Sequence, residues 1–202
     1  MTDAVSARSP ARPRVAALSI PNLLTIGRMA AVPGVAACLF VADGPLWHWL
    51  ATVLFVAACI TDFLDGYFAR LWSQQSALGR MLDPIADKLL VGAVLLMLVF
   101  DRTIDGWSIW AALIILSREI VVSGLREFLA EINVKLRVTW LAKWKTTIQM
   151  IALGVLLLAP AIVASAPWAP AAGIGLLWMA ALLTIFTGLE YLRAAVSTAM
   201  RH

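Results

Sequence analysis

Long apolar segments alternate with short polar connections along almost the whole chain. A helix that crosses a bilayer needs about 20 mostly apolar residues. Six segments meet this requirement: 23–42, 47–71, 83–100, 107–129, 145–163 and 171–194. In hydrocarbon the backbone polar groups of a single segment are satisfied only in a helix. The pattern therefore predicts an all-α, polytopic membrane protein with six transmembrane helices.

The N-terminal residues do not share this pattern. Residues 1–17 are rich in Ala, Arg, Ser and Pro, which is typical of a disordered tail. Residues 18–202 then form one six-helix transmembrane domain. The two cysteines, Cys38 and Cys59, fall inside predicted spans and are interpreted as packing residues rather than as a disulfide.

Positive charge is concentrated at alternate connections. Lys and Arg precede the first segment, flank the connection after the second, crowd the one after the fourth, and follow the sixth. The positive-inside rule places both termini and these connections in the cytoplasm. The net charge of +4 suits an anionic lipid surface. It does not indicate a nucleic-acid partner, because the sequence has no soluble basic domain to bind one.

Four aspartates interrupt the second and third segments at helical spacing. Asp62 and Asp65 are three residues apart, and Asp83 and Asp87 are four apart, so each pair lies on one face of its helix. One Asp at the centre of a membrane helix costs about 3 kcal/mol. Because no matching basic cluster lies nearby in the sequence, the aspartates indicate a bound cation. Carboxylate oxygens suit Mg²⁺, Mn²⁺ or Ca²⁺ better than zinc.

Small residues and an arginine extend the same two faces. Gly66, Ala69 and Gly79 add little bulk, so a ligand can approach the backbone closely, and Arg70 suits a phosphate. The short connection at 71–78 predicts that the two helices are antiparallel neighbours with these faces opposed. This chemistry favours transfer of a phosphoryl-type group, with cations on the phosphate oxygens and one carboxylate taking a proton. The residues alone do not separate the base from the metal ligands.

These positions resemble the signature of the CDP-alcohol phosphotransferases, integral membrane enzymes that make phospholipids. All eight signature positions match over 26 residues: Asp62, Asp65, Gly66, Ala69, Arg70, Gly79, Asp83 and Asp87. The resemblance implies two divalent ions, Mg²⁺ or Mn²⁺, held by the four aspartates, with Asp87 also the general base. It assigns the following residues to the nucleotide: Asn22, Thr25, Asp62, Asp65, Gly66, Ala69, Arg70 and Gly79.

Three further segments, 20–28, 117–129 and 143–150, resemble the family members that join CDP-diacylglycerol to sn-glycerol 3-phosphate and release CMP. The phosphate of that acceptor needs cations of its own. Arg118 lies deep in the fourth span and therefore needs a counter-charge. Arg126 is eight residues further on, turned by about 80°, and Lys145 enters from the same side. These three residues are predicted to hold the acceptor phosphate.

Several alternatives stay open at this point. Arg118 and Arg126 could pair internally with a glutamate: Glu119, Glu127 or Glu190. Arg28 could pair with a carboxylate or touch substrate. The acceptor could be serine, inositol phosphate or a second phosphatidylglycerol. A divalent-cation transporter is a different class, but a transport relay predicts aspartates spread across the membrane depth, whereas these gather towards one side.

The resemblance also implies an assembly and a location. Members of the family are generally homodimers, so a homodimer is expected. The expected location is the bacterial inner membrane, with the active site on the cytoplasmic side among the membrane lipids that supply the donor.

Overall fold

The computed structural model of the protein describes residues 20–41, 44–71, 77–131 and 140–199. Within these ranges the side chains of 20–22, 63, 65–71, 77–80, 131, 142 and 194–199 are not described. The expected N-terminal tail, 1–17, lies outside the described residues.

The described residues form six α-helices. They are α1 (Ile20–Val41), α2 (Pro45–Leu71), α3 (Ala77–Phe100), α4 (Ser108–Glu131), α5 (Trp140–Ile162) and α6 (Ala169–Ala199). Each predicted segment corresponds to one helix, which confirms the all-α prediction. Cys38 and Cys59 are free thiols, so they do not form the disulfide that the sequence analysis also argued against.

The helices pack as a closed ring. Over the described residues, α1 contacts α2 and α3, α2 contacts α5, α5 contacts α6, α6 contacts α4, and α4 returns to α3. The sequence predicted α2 and α3 to be direct neighbours. In the described part of the chain both instead pack mainly on α1, so the first helix brings their acidic faces together. A short connection limits how far apart two helices lie, but it does not decide which helix fills the space between them.

The outer surface of the ring is apolar. Large side chains such as Phe40, Leu96 and Leu182 are more than half exposed, an arrangement that suits lipid contact rather than water. Five helices are long and apolar enough to cross a membrane, and α3 falls outside that set. The protein is therefore a polytopic membrane protein, and a sixth span through α3 stays a prediction.

Small residues allow the helices to approach closely. Ala152, Ala180 and Ala181 are fully buried. At Gly173 on α6, an added Cβ would lie 2.7 Å from the side chain of Leu156 on α5, a distance that real Cβ contacts do not tolerate. Lipid tails are as apolar as leucine, so close packing of this kind is what holds membrane helices together.

Helix α3 begins earlier than its apolar segment. It starts at Ala77, so Gly79, Asp83 and Asp87 share one helical face, as the spacing predicted. Pro84 lies inside the helix, where it removes one backbone hydrogen bond beside the two aspartates.

Arg28 joins α1, α2 and α3 at a single point. Its Nη1 atom lies 2.8 Å from Oδ1 of Asp62 and 2.7 Å from Oδ1 of Asp87. The arginine side chain is 1% exposed, whereas those of Asp62 and Asp87 are 46% and 43% exposed. Pairing of Arg28 with a carboxylate, one alternative that the sequence left open, is therefore present, and the basic partner lies on a helix distant in sequence. Two carboxylates from different helices neutralise one buried cation, which ties the three helices together.

The Arg28 junction makes a prediction for stability. We expect Arg28→Ala to lower the free energy of unfolding by about 2 kcal/mol, since losing one member of a buried pair is costly and the exposure of both carboxylates limits the loss. Thermal unfolding in detergent, followed by circular dichroism, measures the effect. Arg193→Ala, at an exposed site on α6, is the matched control. A melting temperature equal to that of the wild type would contradict the prediction.

Candidate active site

Three of the four predicted aspartates lie around one cavity. Asp62 from α2 and Asp83 and Asp87 from α3 line a space of about 390 Å³ inside the ring. Asp62 and Asp87 are close to each other, because their Oδ1 atoms contact the same nitrogen of Arg28. Helices α2 and α3, which both pack mainly on α1, thus place their carboxylates beside the same arginine.

Thr25 orients Asp83, the third aspartate that lines the cavity. Its hydroxyl donates a hydrogen bond of 2.6 Å to Oδ1 of Asp83, and the residue is 1% exposed. The sequence assigned Thr25 to the nucleotide, and that assignment stays a prediction. The contact in the structure instead shows Thr25 orienting Asp83, one helical turn from Arg28 on the same face of α1.

The aspartate cluster has the chemistry of a hard divalent cation site. Its donors are carboxylate oxygens, which Mg²⁺ and Mn²⁺ prefer, and two of them already converge on a positively charged nitrogen. Almost half of each of these two side chains is accessible from the cavity side. Among the side chains that the structure describes, no group of three metal-ligating residues is preassembled. The donor set thus fits the ion, and Arg28 holds part of that set.

A basic cluster lies on α4 and α5. Lys145 is 2% exposed, and its Nζ donates to Oε1 of Glu119. Arg118, 13% exposed, places Nη1 at 3.4 Å from the same oxygen and donates from Nη2 to Oγ1 of Thr187 at 3.3 Å. Gly188 on α6 makes room for Arg118, because an added Cβ there would lie 3.2 Å from its Cγ. Internal pairing of Arg118 with Glu119, one alternative left open by the sequence, is present.

Arg126 is held by an aromatic side chain. Its Nη2 donates a 2.7 Å hydrogen bond to the hydroxyl of Tyr191, and its guanidinium lies 4.9 Å from the centre of the same ring. Arg118 lies 5.9 Å from that ring. Tyr191 on α6 therefore positions both arginines through a hydrogen bond and cation–π contacts. Arg118 and Arg126 line a second cavity of about 270 Å³, so the 80° offset between them does let both border one space.

The acidic and basic groups share a wall. Glu119, Arg126, Lys88 and Pro84 line both the 390 Å³ cavity that contains the aspartates and the 270 Å³ cavity that contains Arg118. A molecule in the first cavity therefore reaches carboxylates on one side and cations on the other. This arrangement can bind an anion and a metal-bound phosphate next to each other.

Several predicted residues lie outside the described side chains. They are Asn22, Asp65, Gly66, Ala69, Arg70 and Gly79. Their helices are described, so Asp65, Gly66 and Ala69 follow Asp62 on α2, and Gly79 precedes Asp83 on α3.

Sequence reasoning left the pairing of Arg28 and of Glu119 as open alternatives, and it missed two residues of this site, Thr187 and Tyr191. For Arg28 and Glu119 a signal existed, because charged residues within apolar spans require a partner. For Thr187 and Tyr191 none existed, because a hydroxyl on a membrane helix is ordinary until a distant arginine is placed beside it.

Comparisons with known proteins identify the family of this chain. The family model described as CDP-alcohol phosphatidyltransferase matches residues 18–189. This range contains all the aspartates and both arginines of the cavities.

Curated relatives match over nearly their whole length. A protein of Rickettsia bellii is 47% identical, over 87% of this chain and 94% of the relative. Proteins of Cereibacter sphaeroides and Escherichia coli K12 are 41% and 39% identical, each over 88% of this chain and 96% and 94% of the relative. All three are named CDP-diacylglycerol–glycerol-3-phosphate 3-phosphatidyltransferase. The chain therefore belongs to the CDP-alcohol phosphatidyltransferase family.

Proposed function

We propose that the protein transfers the phosphatidyl group of CDP-diacylglycerol to sn-glycerol 3-phosphate, giving phosphatidylglycerophosphate and CMP. The observation that carries this proposal is the shared wall between an acidic and a basic cavity. A pyrophosphate donor and a phosphate-bearing acceptor both need cations, and the cations must be different ones. The names of the curated relatives support the same reaction.

The acidic cavity binds the donor in this proposal. Asp62, Asp65, Asp83 and Asp87 would hold two Mg²⁺ or Mn²⁺ ions, which would supply positive charge to the phosphate oxygens. Thr25 and Arg28 keep Asp83, Asp62 and Asp87 in place for this task, through the contacts described above. The family pattern adds Asn22, Gly66, Ala69, Arg70 and Gly79 to the nucleotide pocket.

Asp87 is the proposed general base. Arg28 contacts Oδ1 of Asp87. The side chain of Asp87 also lines the cavity, so one of its carboxylate oxygens can face the acceptor. Asp87 takes the proton from the C1 hydroxyl of glycerol 3-phosphate. The hydroxyl oxygen then forms a bond to the phosphorus that carries the diacylglycerol, and the bond from that phosphorus to CMP breaks with its electron pair leaving on CMP.

The basic cluster binds the acceptor in this proposal. Arg118, Arg126 and Lys145 hold its phosphate, and Tyr191 and Thr187 orient the two arginines. Because Arg126 lines both cavities, it can hold the acceptor phosphate while the C1 hydroxyl reaches towards Asp87. Serine carries no phosphate and offers this cluster only a singly charged carboxylate, so the phosphate dianion of glycerol 3-phosphate fits better.

An apolar groove continues from the acidic cavity. Residues of α2 and α5 line a space of about 520 Å³, and Met150 belongs to both spaces. On α2 the groove runs from Thr52 to Ile60, which is about 12 Å along the helix and close to the depth of one hydrocarbon leaflet, about 15 Å. In this proposal a donor acyl chain lies along the groove while the headgroup enters sideways.

Orientation and assembly complete the proposal. The distribution of Lys and Arg supports termini and an active site on the cytoplasmic face of a bacterial inner membrane. A homodimer is proposed from family resemblance.

The base assignment is tested with Asp87→Asn. Purified protein with Mg²⁺ or Mn²⁺, CDP-diacylglycerol and glycerol 3-phosphate should release CMP, and the variant should lower kcat about 100-fold or more, because it cannot accept the proton. Asp105→Asn, an exposed residue in the connection between α3 and α4, is the control. Near wild-type turnover in Asp87→Asn would remove the assignment. Metal flux into liposomes without CMP release would favour a transporter instead.

The acceptor site is tested with Arg118→Ala. Loss of a charge-assisted phosphate contact should raise the KM for glycerol 3-phosphate about tenfold or more, while the KM for CDP-diacylglycerol stays unchanged. Arg193→Ala is the control for a lost surface charge. The same assay with serine, inositol phosphate and phosphatidylglycerol identifies the acceptor in the wild type. A variant that keeps the acceptor KM of the wild type would exclude Arg118 from the phosphate site.

The groove is tested with Gly154→Leu. An added Cβ at Gly154 would meet only ordinary contact, 3.8 Å from Phe55, and because Gly154 lines the groove, a leucine there takes up groove volume. We expect kcat/KM for long-chain CDP-diacylglycerol to fall about tenfold relative to a short-chain donor. Gly175→Leu, on the exposed face of α6 with open space around it, is the matched control. An equal loss with both donors would place the acyl chain elsewhere.

A further inference from the structure

Glu119 lies at the centre of the basic cluster, although the proposed function assigns it no role. Its Oε1 atom is the acceptor for Lys145 Nζ and lies 3.4 Å from Nη1 of Arg118. The same side chain lines both cavities. One carboxylate therefore pairs with two of the three cations that are proposed to hold the acceptor phosphate.

Because Lys145 and Arg118 lie in a buried site, the Glu119 carboxylate and an entering phosphate compete for the same two cations. Lys145 and Arg118 are almost inaccessible, and a buried cation without an anion is strongly destabilising. A phosphate dianion entering the cluster offers the same type of oxygen ligand with more charge. Two anions on the same two cations repel each other, so either the carboxylate or the phosphate occupies the position, but not both.

A second observation indicates where the phosphate would gain a contact. The Nε atom of Arg118 is buried and has no hydrogen-bond partner among the described residues. Glu119 contacts Nη1 and Thr187 contacts Nη2, so Nε is the donor that neither of them uses. A buried donor without a partner is costly, and a phosphate oxygen can remove that cost because a guanidinium presents its N–H groups as a fork.

We propose that Glu119 is the internal counter-ion of the acceptor site, and that the phosphate of the acceptor displaces it from Arg118 and Lys145. The identity of the acceptor rests on the function proposed above, but the competition concerns any phosphate dianion. Glu119 thereby sets specificity: a neutral acceptor does not displace a carboxylate from two cations, whereas a dianion does. Glu119 also keeps the cluster folded by neutralising its buried charge.

The test is Glu119→Gln with inorganic phosphate as the probe. Isothermal titration calorimetry on the purified, detergent-solubilised protein should show phosphate binding about tenfold tighter than in the wild type, because the competing charge is removed while shape and hydrogen bonding are kept. The KM for glycerol 3-phosphate should also fall, whereas the KM for CDP-diacylglycerol should not change. Glu190→Gln, an exposed carboxylate on α6, controls for the change in net charge.

Glu119→Asp covers the case in which the glutamine variant does not fold. The shorter side chain keeps the charge but withdraws it from Lys145, so phosphate binding should tighten by a smaller factor. Unchanged or weaker phosphate binding in the folded variants would overturn the inference. Replacing a carboxylate that is purely structural, or one that holds the acceptor hydroxyls, does not increase the affinity for phosphate. If wild-type protein makes no CMP from glycerol 3-phosphate while Glu119→Gln still tightens phosphate binding, the proposed function fails and the counter-ion role stands.

Discussion

Charge inside a low-dielectric helical ring must be neutralised, and among the described residues the most deeply buried cations, Arg28 and Lys145, take their carboxylate partners from other helices. Arg28 on α1 meets Asp62 on α2 and Asp87 on α3. Glu119 on α4 meets Lys145 on α5, and Arg126 on α4 meets Tyr191 on α6. Because an unpaired charge at this depth costs several kcal/mol, these contacts constrain how the helices are arranged.

The same contacts explain why the site has two halves. The acidic half has more carboxylates than cations, and the basic half has more cations than carboxylates. Each half is therefore partly neutralised by protein groups and keeps a charge for the ligand proposed for it, which is a divalent cation on the acidic side and a phosphate on the basic side. Lys88 and Arg126 border both cavities, so the two proposed binding positions adjoin at the shared wall.

Packing around the site is built from small and hydroxylated residues. Thr25 reaches Asp83 from α1, and Gly188 leaves space for Arg118 against α6. Close approach of this kind replaces the hydrophobic driving force that a soluble protein would use. It also places polar contacts deep between helices without exposing them to lipid, while the lipid-facing surface stays apolar and offers a groove beside the acidic cavity.

Much of this protein was determined by the sequence alone. The lengths of the apolar segments predict the helices, because a lipid bilayer permits little else, and the spacing of Asp62, Asp83 and Asp87 predicts which faces carry the chemistry. Only the tertiary structure decided that α1 packs on both acidic helices, that Arg28 pairs with Asp62 and Asp87, and that Glu119 and Tyr191 organise the basic cluster. The physical reason is that helical periodicity is a local property that is visible in neighbouring residues. The pairing of Arg28 with Asp87, by contrast, joins residues 59 positions apart and depends on which helices pack together.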